Sequence, residues 1–329
     1  MKIVVLGSGA IGSLYGAFLS TISTNEVVLV GRNPHVAAIR SKGLTINGIM
    51  GKRTFHLRAV DDVSEVSEAD LILLTTKTYD SITAVLSAKH LVNNGTYIMI
   101  IQNGLGTEQL VAETLHTSRV LRATTCMGAL RTVPGVVVAT GCGLTEVGSR
   151  YPENNDFVEQ VAEMLRECGF DVCSSKNIEG VVWTKTLVNA GINPVGALTG
   201  LTNGEVYKSP KLRKLVIQLV EEAAKVVEAL GIELTTEDPV RYTLGTAKAT
   251  KNNINSMLQD FRAGKRTEID SITGEIIRLG KELGVPTPSS EVVYALVKAI
   301  ESKYLTHPEA SSQLSPITVN ELVDTLNAS

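Results

Sequence analysis

The sequence predicts an α/β domain followed by an all-helical one, and three observations carry that prediction. The chain opens on an apolar run leading into a glycine-rich turn, KIVVLGSGAIG. Short apolar strands then alternate with helical segments to about residue 175, and from about Glu179 long amphipathic patterns replace them. Alternation of strand and helix is the pattern of a parallel sheet covered by helices. At 329 residues the chain exceeds the usual size of one core. We therefore expect two domains, residues 1–177 and 178–329, and with no long flexible linker we expect them to flank a cleft.

Residues 2–6 read as a buried strand and residues 10–20 as a helix, so Gly7, Gly9 and Gly12 fall in the turn between them. In that context the G-x-G-x-x-G spacing has a mechanism. Gly7 permits the tight turn, Gly9 lets the backbone approach a pyrophosphate, and Gly12 lets the helix lie close to the sheet. Gly7, Ser8, Gly9, Ala10, Ile11 and Gly12 would then cradle the phosphates at the helix N-terminus. A merely glycine-rich turn is the competing reading. The next strand, VVLVG, ends in Gly31 and Arg32, where a site selective for NAD commonly carries an acidic residue. Arg32 supplies a cation for the 2′-phosphate of NADP, with no carboxylate beside it; a solvated loop arginine is the alternative. Residues 70–77 (DLILLTTK) and 97–106 (YIMIIQNGLG) read as further strands, as do 119–125, 136–139 and 143–147. Pro134-Gly135 is a turn signal, so the sheet should continue past its parallel core with an antiparallel pair.

In the second half the helical stretches are 181–190, 211–230, 239–262, 268–283 and 290–302, punctuated by Gly231, Gly284, Pro286 and Pro288. Stretch 211–230 suits burial against a partner subunit as well as against its own core, which leaves a homodimer open. WTKTLVNAGINP places Lys185, Asn189 and Asn193 at intervals of four, on one helical face, with Leu187, Val188 and Ile192 facing a core. Asparagine is a poor interior helix residue, so two in line with a lysine suggest a wall of a site more than a solvated surface. Pro194 should end or kink this helix. In NNINSMLQDFRAGKRTEID, Asn253, Ser256 and Asp260 are spaced to share a second helical face, Thr267 is a candidate cap, and Glu268 follows it. Glu268 reads equally as a first-turn carboxylate favoured by the helix dipole. Lysine, asparagine and serine together suit a small carboxylated, hydroxylated ligand. His35, His56, His90, His116 and His307 all lie outside these clusters, so Lys185 is the candidate proton donor.

Composition excludes several functions. A net charge of −3 provides no basic field for nucleic acid, and one tryptophan and five phenylalanines leave little for base stacking. No apolar run reaches bilayer length, and Met1-Lys2 leads straight into the first strand with no room for a signal peptide. We expect a cytoplasmic chain with neither a membrane nor a nucleic-acid partner. Cys126, Cys142, Cys168 and Cys173 form no CxxC pair and no zinc pattern with histidine, so reduced, mostly packed thiols and no metal are expected.

GSGAIG, the LLTTK run ending at Lys77, QNGLG around Asn103, WTKTLVNAGINP, NSMLQDFRAGKRTEID and GVPTP are similar, in order and spacing, to the motifs of the ketopantoate reductase family (2-dehydropantoate 2-reductases). The resemblance covers roughly residues 1–303. It implies a Rossmann domain followed by a helical domain like the C-terminal domain of 6-phosphogluconate dehydrogenase. It also implies NADPH-dependent reduction of 2-dehydropantoate, a small 2-keto acid, to (R)-pantoate in pantothenate and coenzyme A biosynthesis. By the same resemblance Lys185 is the general acid, and Glu268 is the catalytic carboxylate linked to it and to bound cofactor and substrate. Lys185, Asn189, Asn193 and Ser256 correspond to substrate-binding positions, with Asn203 and Asn253 as further polar contacts. Lys77 and Asn103 correspond to residues touching the nicotinamide half of the cofactor, and Gly128 is a weaker match of that kind. The chain departs at Asn255, where a second serine often precedes Ser256, and beyond Tyr304, where no counterpart is found. A reductase of another branched 2-keto acid and a non-catalytic dinucleotide sensor stay open as alternatives. Retention of Lys185 and Glu268 speaks against the sensor.

Overall fold

The computed structural model describes residues 1–306; the part of the unmatched C-terminal segment from residue 307 on, His307 included, lies outside them. The chain divides into two compact units, Met1–Gln102 with Gly106–Ile178, and Asn103–Leu105 with the residues from Glu179 on.

The first unit begins β1 (Lys2–Leu6), α1 (Ala10–Leu19), β2 (Glu26–Val30), α2 (His35–Lys42), β3 (Leu44–Gly48), β4 (Arg53–Phe55) and β5 (Arg58–Val60). It continues with β6 (Leu71–Leu74), α3 (Ser81–Ser87), β7 (Tyr97–Ile100), α4 (Thr107–Leu115) and β8 (Val120–Thr125). It closes with β9 (Gly128–Val133), β10 (Val136–Gly141), β11 (Thr145–Gly148), α5 (Asn155–Glu167) and β12 (Val172–Ser174). Strands β5-β2-β1-β6-β7-β8 lie side by side in parallel, the doubly wound order in which the chain reverses direction across the sheet between β1 and β6. β11 runs antiparallel beside β8, and β12 pairs with β11.

These strands read as unbroken apolar runs because both faces of the sheet are buried. Ile3, Val5, Leu29, Leu71 and Leu73 enter one core, while Val4, Leu6, Val28, Ile72 and Leu74 enter the core on the other face. The strand expected over 97–106 stops at Ile100, and positive φ at Gly104 (85°) and Gly106 (79°) turns the chain away. The hairpin expected at Pro134-Gly135 is present as β9 and β10, but it does not extend the main sheet. It joins a separate four-stranded sheet, β4-β3-β10-β9, in which β10 pairs in parallel with β3.

His35, at the start of α2, links the two sheets of this unit. Its Nδ1 accepts from the Gly135 amide at 2.9 Å, so the proton sits on Nε2 and is donated to Ser13 Oγ at 3.0 Å. Ser13 Oγ in turn donates to Ser8 O at 3.1 Å, so the glycine-rich turn, α2 and the second sheet share one chain of bonds.

Among the described residues after Glu179 the regular elements of the second unit are all helical, joined by short loops. α6 (Ile178–Thr199) leads to α7 (Asn203–Lys208), α8 (Pro210–Ala229), α9 (Pro239–Ala249) and α10 (Ser256–Arg262). A π-type turn (Asp270–Gly274) then runs into α11 (Glu275–Leu283), and α12 (Pro288–Thr306) follows. Of the end or kink expected at Pro194, the end is absent: α6 continues through it. Proline costs one backbone bond inside a helix, and here Val195 and Leu198, buried in the unit's core, carry the helix past it. Stretch 239–262 is two helices, because Asn255 caps α10 by accepting the Leu258 amide on Oδ1 at 3.0 Å. Stretch 268–283 opens on the π-type turn, with the Gly274 amide donating to Ile269 O at 2.9 Å. α8 buries its apolar face, Leu212, Leu215, Val216, Leu219, Val220, Ala223 and Val226, in its own unit. No helix among the described residues is long and apolar enough to cross a membrane. Cys168 is buried and burial pushes its thiol up to about 11, but Cys126 and Cys142 are exposed, so the expectation of mostly packed thiols holds for only part of the set.

Burial, reinforced by the Arg131 cation, pushes the His35 imidazole from 6.5 down to about 4. A histidine kept neutral in the fold contributes stability that is full above the unfolded value and is lost as pH falls toward the folded one. We expect the melting temperature to drop between pH 6.5 and 4, this residue accounting for on the order of 3 kcal/mol. His35→Gln should melt lower at pH 7 yet lose less across that window in pH-resolved calorimetry. An identical pH slope in both proteins would contradict this.

Candidate active site

The glycine turn lies at the C-terminal end of β1, beside the reversal of strand order, where open α/β sheets bind ligands. Gly7 has φ +104°, and a Cβ there would lie 2.7 Å from Thr76 N. A Cβ on Gly12 would lie 2.2 Å from Gly7 O and 2.3 Å from Thr75 Oγ1, so only glycine lets α1 come this close to the strand. Gly9 differs: its Cβ would meet only Gly7 O, at 4.0 Å, so the protein itself leaves room for a side chain there. The turn is pinned to β2 by the Gly7 and Ser8 amides, which both donate to Val30 O at 3.0 and 2.9 Å. α1 starts at Ala10 with no side-chain cap and no acidic residue in its first turn, and Ala10 and Ile11 are half-buried. Its N-terminal partial positive charge is thus uncompensated by side chains.

Arg32 follows β2, its side chain 87% exposed. The expectation that no carboxylate lies beside it is corrected: Asp80 Oδ2 accepts from Arg32 Nη2 at 3.2 Å. Asp80 is 48 positions away in the chain and reaches Arg32 because the loop after β6 returns to the same sheet edge. Lys77 lies half-buried in that loop. Gln102, after β7, fixes the loop from its own strand end: Nε2 donates to Thr76 O at 2.7 Å and to Ser81 Oγ at 2.8 Å. Sequence reasoning missed Arg122, 2% exposed on β8, which donates from Nη2 to Gln102 O at 2.7 Å and pairs with Glu108 at 3.5 Å. The signal was an arginine inside an apolar strand, which requires a buried partner. Gly128 lies on β9 in the second sheet, where a Cβ would stand 2.7 Å from Thr140 Oγ1, so packing alone accounts for glycine there.

In the second unit α6 is almost sealed. Across residues 180–199 only Lys185 and Asn189 escape burial, and they stand one turn apart on the same face. Asn193, the next in line, is 6% exposed. Beside Lys185, Thr184 Oγ1 accepts from both the amide and the hydroxyl of Thr235 at 3.0 Å, tethering the chain ahead of α9 to this helix. Leu187 enters the main core of the unit, while Val188 and Ile192 pack on Ala247. The second expected face is not a helical face. Asn253 is exposed in the turn before α10, and Ser256 is exposed at the first position of α10. Asn255 between them is buried and abuts Gly196, whose Cβ would lie 2.2 Å from Asn255 Nδ2. That contact brings the α10 N-terminus to α6 one turn beyond Asn193. Asn203 is 8% exposed, donates from Nδ2 to Thr250 Oγ1 at 2.9 Å, and through its amide bonds Asn253 O at 3.1 Å. Its first role is therefore to hold the turn that presents Asn253.

Glu268 is 7% exposed, just ahead of the π-type turn. Its carbonyl accepts from Ser271 Oγ at 3.1 Å and from the Ile272 amide at 3.2 Å as the π-type turn begins. Asn103–Leu105 belongs to the same unit and packs on that turn: the Leu105 amide donates to Ser271 O at 2.9 Å. Gly104, at φ +85°, fits only without a side chain, since a Cβ would lie 2.6 Å from Ser271 Oγ. Asn103 is thereby anchored next to the segment that carries Glu268.

A doubly wound sheet with a bare helix N-terminus at its strand reversal, together with a helical unit whose buried helix leaves one lysine and one asparagine half-buried, defines a two-domain NAD(P)-dependent oxidoreductase. Residues 3–151 match the family described as ketopantoate reductase PanE/ApbA, and residues 177–301 match ketopantoate reductase PanE/ApbA C terminal. The chain is 38% identical over 302 residues to the 2-dehydropantoate 2-reductase of Pyrococcus horikoshii, covering 92% of this chain and 98% of that one. The protein of that name from Archaeoglobus fulgidus is 33% identical over the same shares, 92% and 98%. The chain belongs to the ketopantoate reductase family. Among solved structures, D-mandelate dehydrogenase with NADH and anilino(oxo)acetate is similar at a TM-score of 0.86 and 29% identity, over 92% of this chain and 99% of that one. The PanE/ApbA family ketopantoate reductase from Ralstonia eutropha JMP134 is similar at 0.83 and 30%, over 93% and 100%.

The contrast between two glycines is directly testable. Gly12→Ala should cost about 1–3 kcal/mol of stability through overpacking. Gly9→Ala should stay within about 1 kcal/mol of the parent, as a change away from packed groups does, while dinucleotide affinity falls at least about tenfold, one bond's worth of clash. Calorimetry and fluorescence titration read the two effects separately.

Proposed function

We propose that this chain reduces 2-dehydropantoate to (R)-pantoate with NADPH, as its relatives' names describe, and so serves pantothenate and coenzyme A synthesis. The observation that carries the reading is α6, sealed along 20 residues except at Lys185 and Asn189, in a chain 38% identical to a 2-dehydropantoate 2-reductase. The dinucleotide fits the first unit: Gly9 faces open space, α1 is uncapped, and Gly31-Arg32 places a cation where an acid would favour NAD. Gly7, Ser8, Gly9, Ala10, Ile11 and Gly12 would hold its pyrophosphate and Arg32 its 2′-phosphate, with Lys77, Asn103 and Gly128 toward the nicotinamide half. The Arg32–Asp80 pair is exposed and so worth about 0–1 kcal/mol, a small cost when Arg32 turns to a phosphate.

NADPH, when bound, supplies the hydride that reduces the keto carbon. Lys185 hydrogen-bonds the keto oxygen through its ammonium group and passes it a proton as negative charge develops there. Glu268 orients that ammonium. Asn189, Asn193 and Ser256 bind the carboxylate and hydroxyl groups of the substrate, with Asn203 and Asn253 as further contacts. Holding the keto acid in one pose removes the entropic cost of bringing the reacting groups together.

A second reading is favoured by the similarity to D-mandelate dehydrogenase with NADH: reduction of another 2-keto acid, with NADH accepted. Consumption of NADPH on addition of 2-dehydropantoate, with pantoate identified as product, tests the first reading; binding of NADPH without turnover would overturn it. Lys185→Ala should lower kcat by about 10²–10⁴, and near-normal turnover would remove it from proton transfer. Arg32→Ala should weaken NADPH at least about tenfold more than NADH, the scale of a lost charge-assisted contact; equal weakening would show that the arginine does not read the phosphate.

A further inference from the structure

Glu268 is flanked on both sides by residues gripped from α12. Tyr294, Lys298, Glu301 and Tyr304 are spaced four, three and three apart, so they project from one face of that helix. Glu301, 2% exposed, accepts on Oε2 both the amide and the hydroxyl of Thr267, each at 2.7 Å. Its Oε1 accepts from Lys298 Nζ at 2.9 Å. Lys298 reaches on to Asp270 Oδ2 at 3.1 Å, while Tyr294 donates to Asp270 Oδ1 at 2.7 Å and Arg266 to Oδ2 at 3.0 Å. Tyr304 donates to Lys265 O at 2.6 Å. Residues 265, 267 and 270 are thus tied to α12, and Glu268 stands among them.

We propose that Glu301 is a positioning residue that acts through Thr267 to set where the Glu268 carboxylate stands. The proposal rests on the reading of the chain as a 2-dehydropantoate reductase in which Glu268 meets the chemistry. Two physical points support it. A carboxylate buried this deeply is costly unless every lone pair is used, and apolar residues would hold α12 in place at least as well; directional bonds to Thr267 are what the charge adds. The segment it grips also leads into a π-type turn, a rare geometry found frequently at functional sites. The ties to Asp270 are strong enough to order its titration. Burial alone would raise that carboxyl, but Tyr294, Arg266 and Lys298 outweigh it and hold it below the usual range. Burial alone would likewise lower the Lys298 ammonium, and its bonds to Glu301 and Asp270 raise it instead.

A double-mutant cycle on full-length protein tests this, with kcat/KM for 2-dehydropantoate, NADPH affinity and melting temperature measured for each variant. Glu301→Gln should lower kcat/KM at least about tenfold in the parent and less than about twofold in a Glu268→Gln background, with NADPH affinity in the binary complex within about twofold; such non-additivity is the signature of coupled residues. A fall by the same factor in both backgrounds, or no fall in the parent, would overturn the proposal, since a purely structural role lowers both alike. If Glu301→Gln does not fold, Thr267→Val carries the same cycle, and Thr267→Ser, which restores the hydroxyl, should return kcat/KM to near the parent value. Failure of the functional reading is separate and visible beforehand: a parent enzyme without turnover, or a Glu268→Gln enzyme with full turnover.

Discussion

A helix can begin at once after a buried parallel strand only if the residue facing that strand end has no side chain. Gly12 meets this condition, with Gly7 O and Thr75 Oγ1 occupying the space a methyl group would need. The rest of the first unit's candidate site depends on that approach. With α1 drawn against β1 and β6, the amides of Gly7 and Ser8 reach Val30 O on β2, and three strand ends are locked around one turn. Ser13, one residue further along α1, passes the constraint through His35 to the second sheet. What the approach leaves open is Gly9, a glycine for which the surrounding protein gives no steric reason. A ligand gives one.

The second unit solves a different problem, that of holding charged and amide groups on helices whose other faces are core. α6 does so by burying nearly everything else: the buried residues at each side of Lys185 and Asn189 fix the helix, and with it the direction in which those two project. The segment around Glu268 is not a regular helix, and core packing of Ile269 and Ile272 is joined there by polar ties. It is held as well through Thr267, Asp270 and Ser271, and Gly104 allows the Asn103–Leu105 strip to lie directly on it. Regular secondary structure positions the lysine, and a polar clamp positions the carboxylate.

Much of this was legible in the sequence where a single local rule decides. The parallel core was readable because two-sided burial leaves runs such as IVVL, LILL and YIMI. The glycine roles followed from their place between strand and helix. What escaped depends on partners distant in the chain. β3 and β10 make a second sheet although about ninety residues separate them, and β4 is three residues long, too short to show a period. Asp80 reaches Arg32 only in the fold. By local rules Pro194 ends or kinks a helix, and core packing carries α6 through it; the spacing puts Asn253 on a helical face, but of the three asparagines at 252, 253 and 255 only the fold singles out Asn255 as the cap of α10. Lys185 stood out by spacing, whereas Glu268 carried no more signal than any first-turn carboxylate without the family resemblance, and its depth of burial became visible only in three dimensions.

The central claim is that one buried helix offers a lysine and an asparagine to a small, hydroxylated 2-keto acid, in an enzyme selective for NADPH. The most direct measurement is kcat/KM for 2-dehydropantoate against other branched and aryl 2-keto acids, each with NADPH and with NADH. The account predicts that 2-dehydropantoate with NADPH exceeds every other combination by at least about tenfold, roughly the discrimination one hydrogen-bonding group can give. A flat profile, or a preference for an aryl keto acid with NADH, would contradict it.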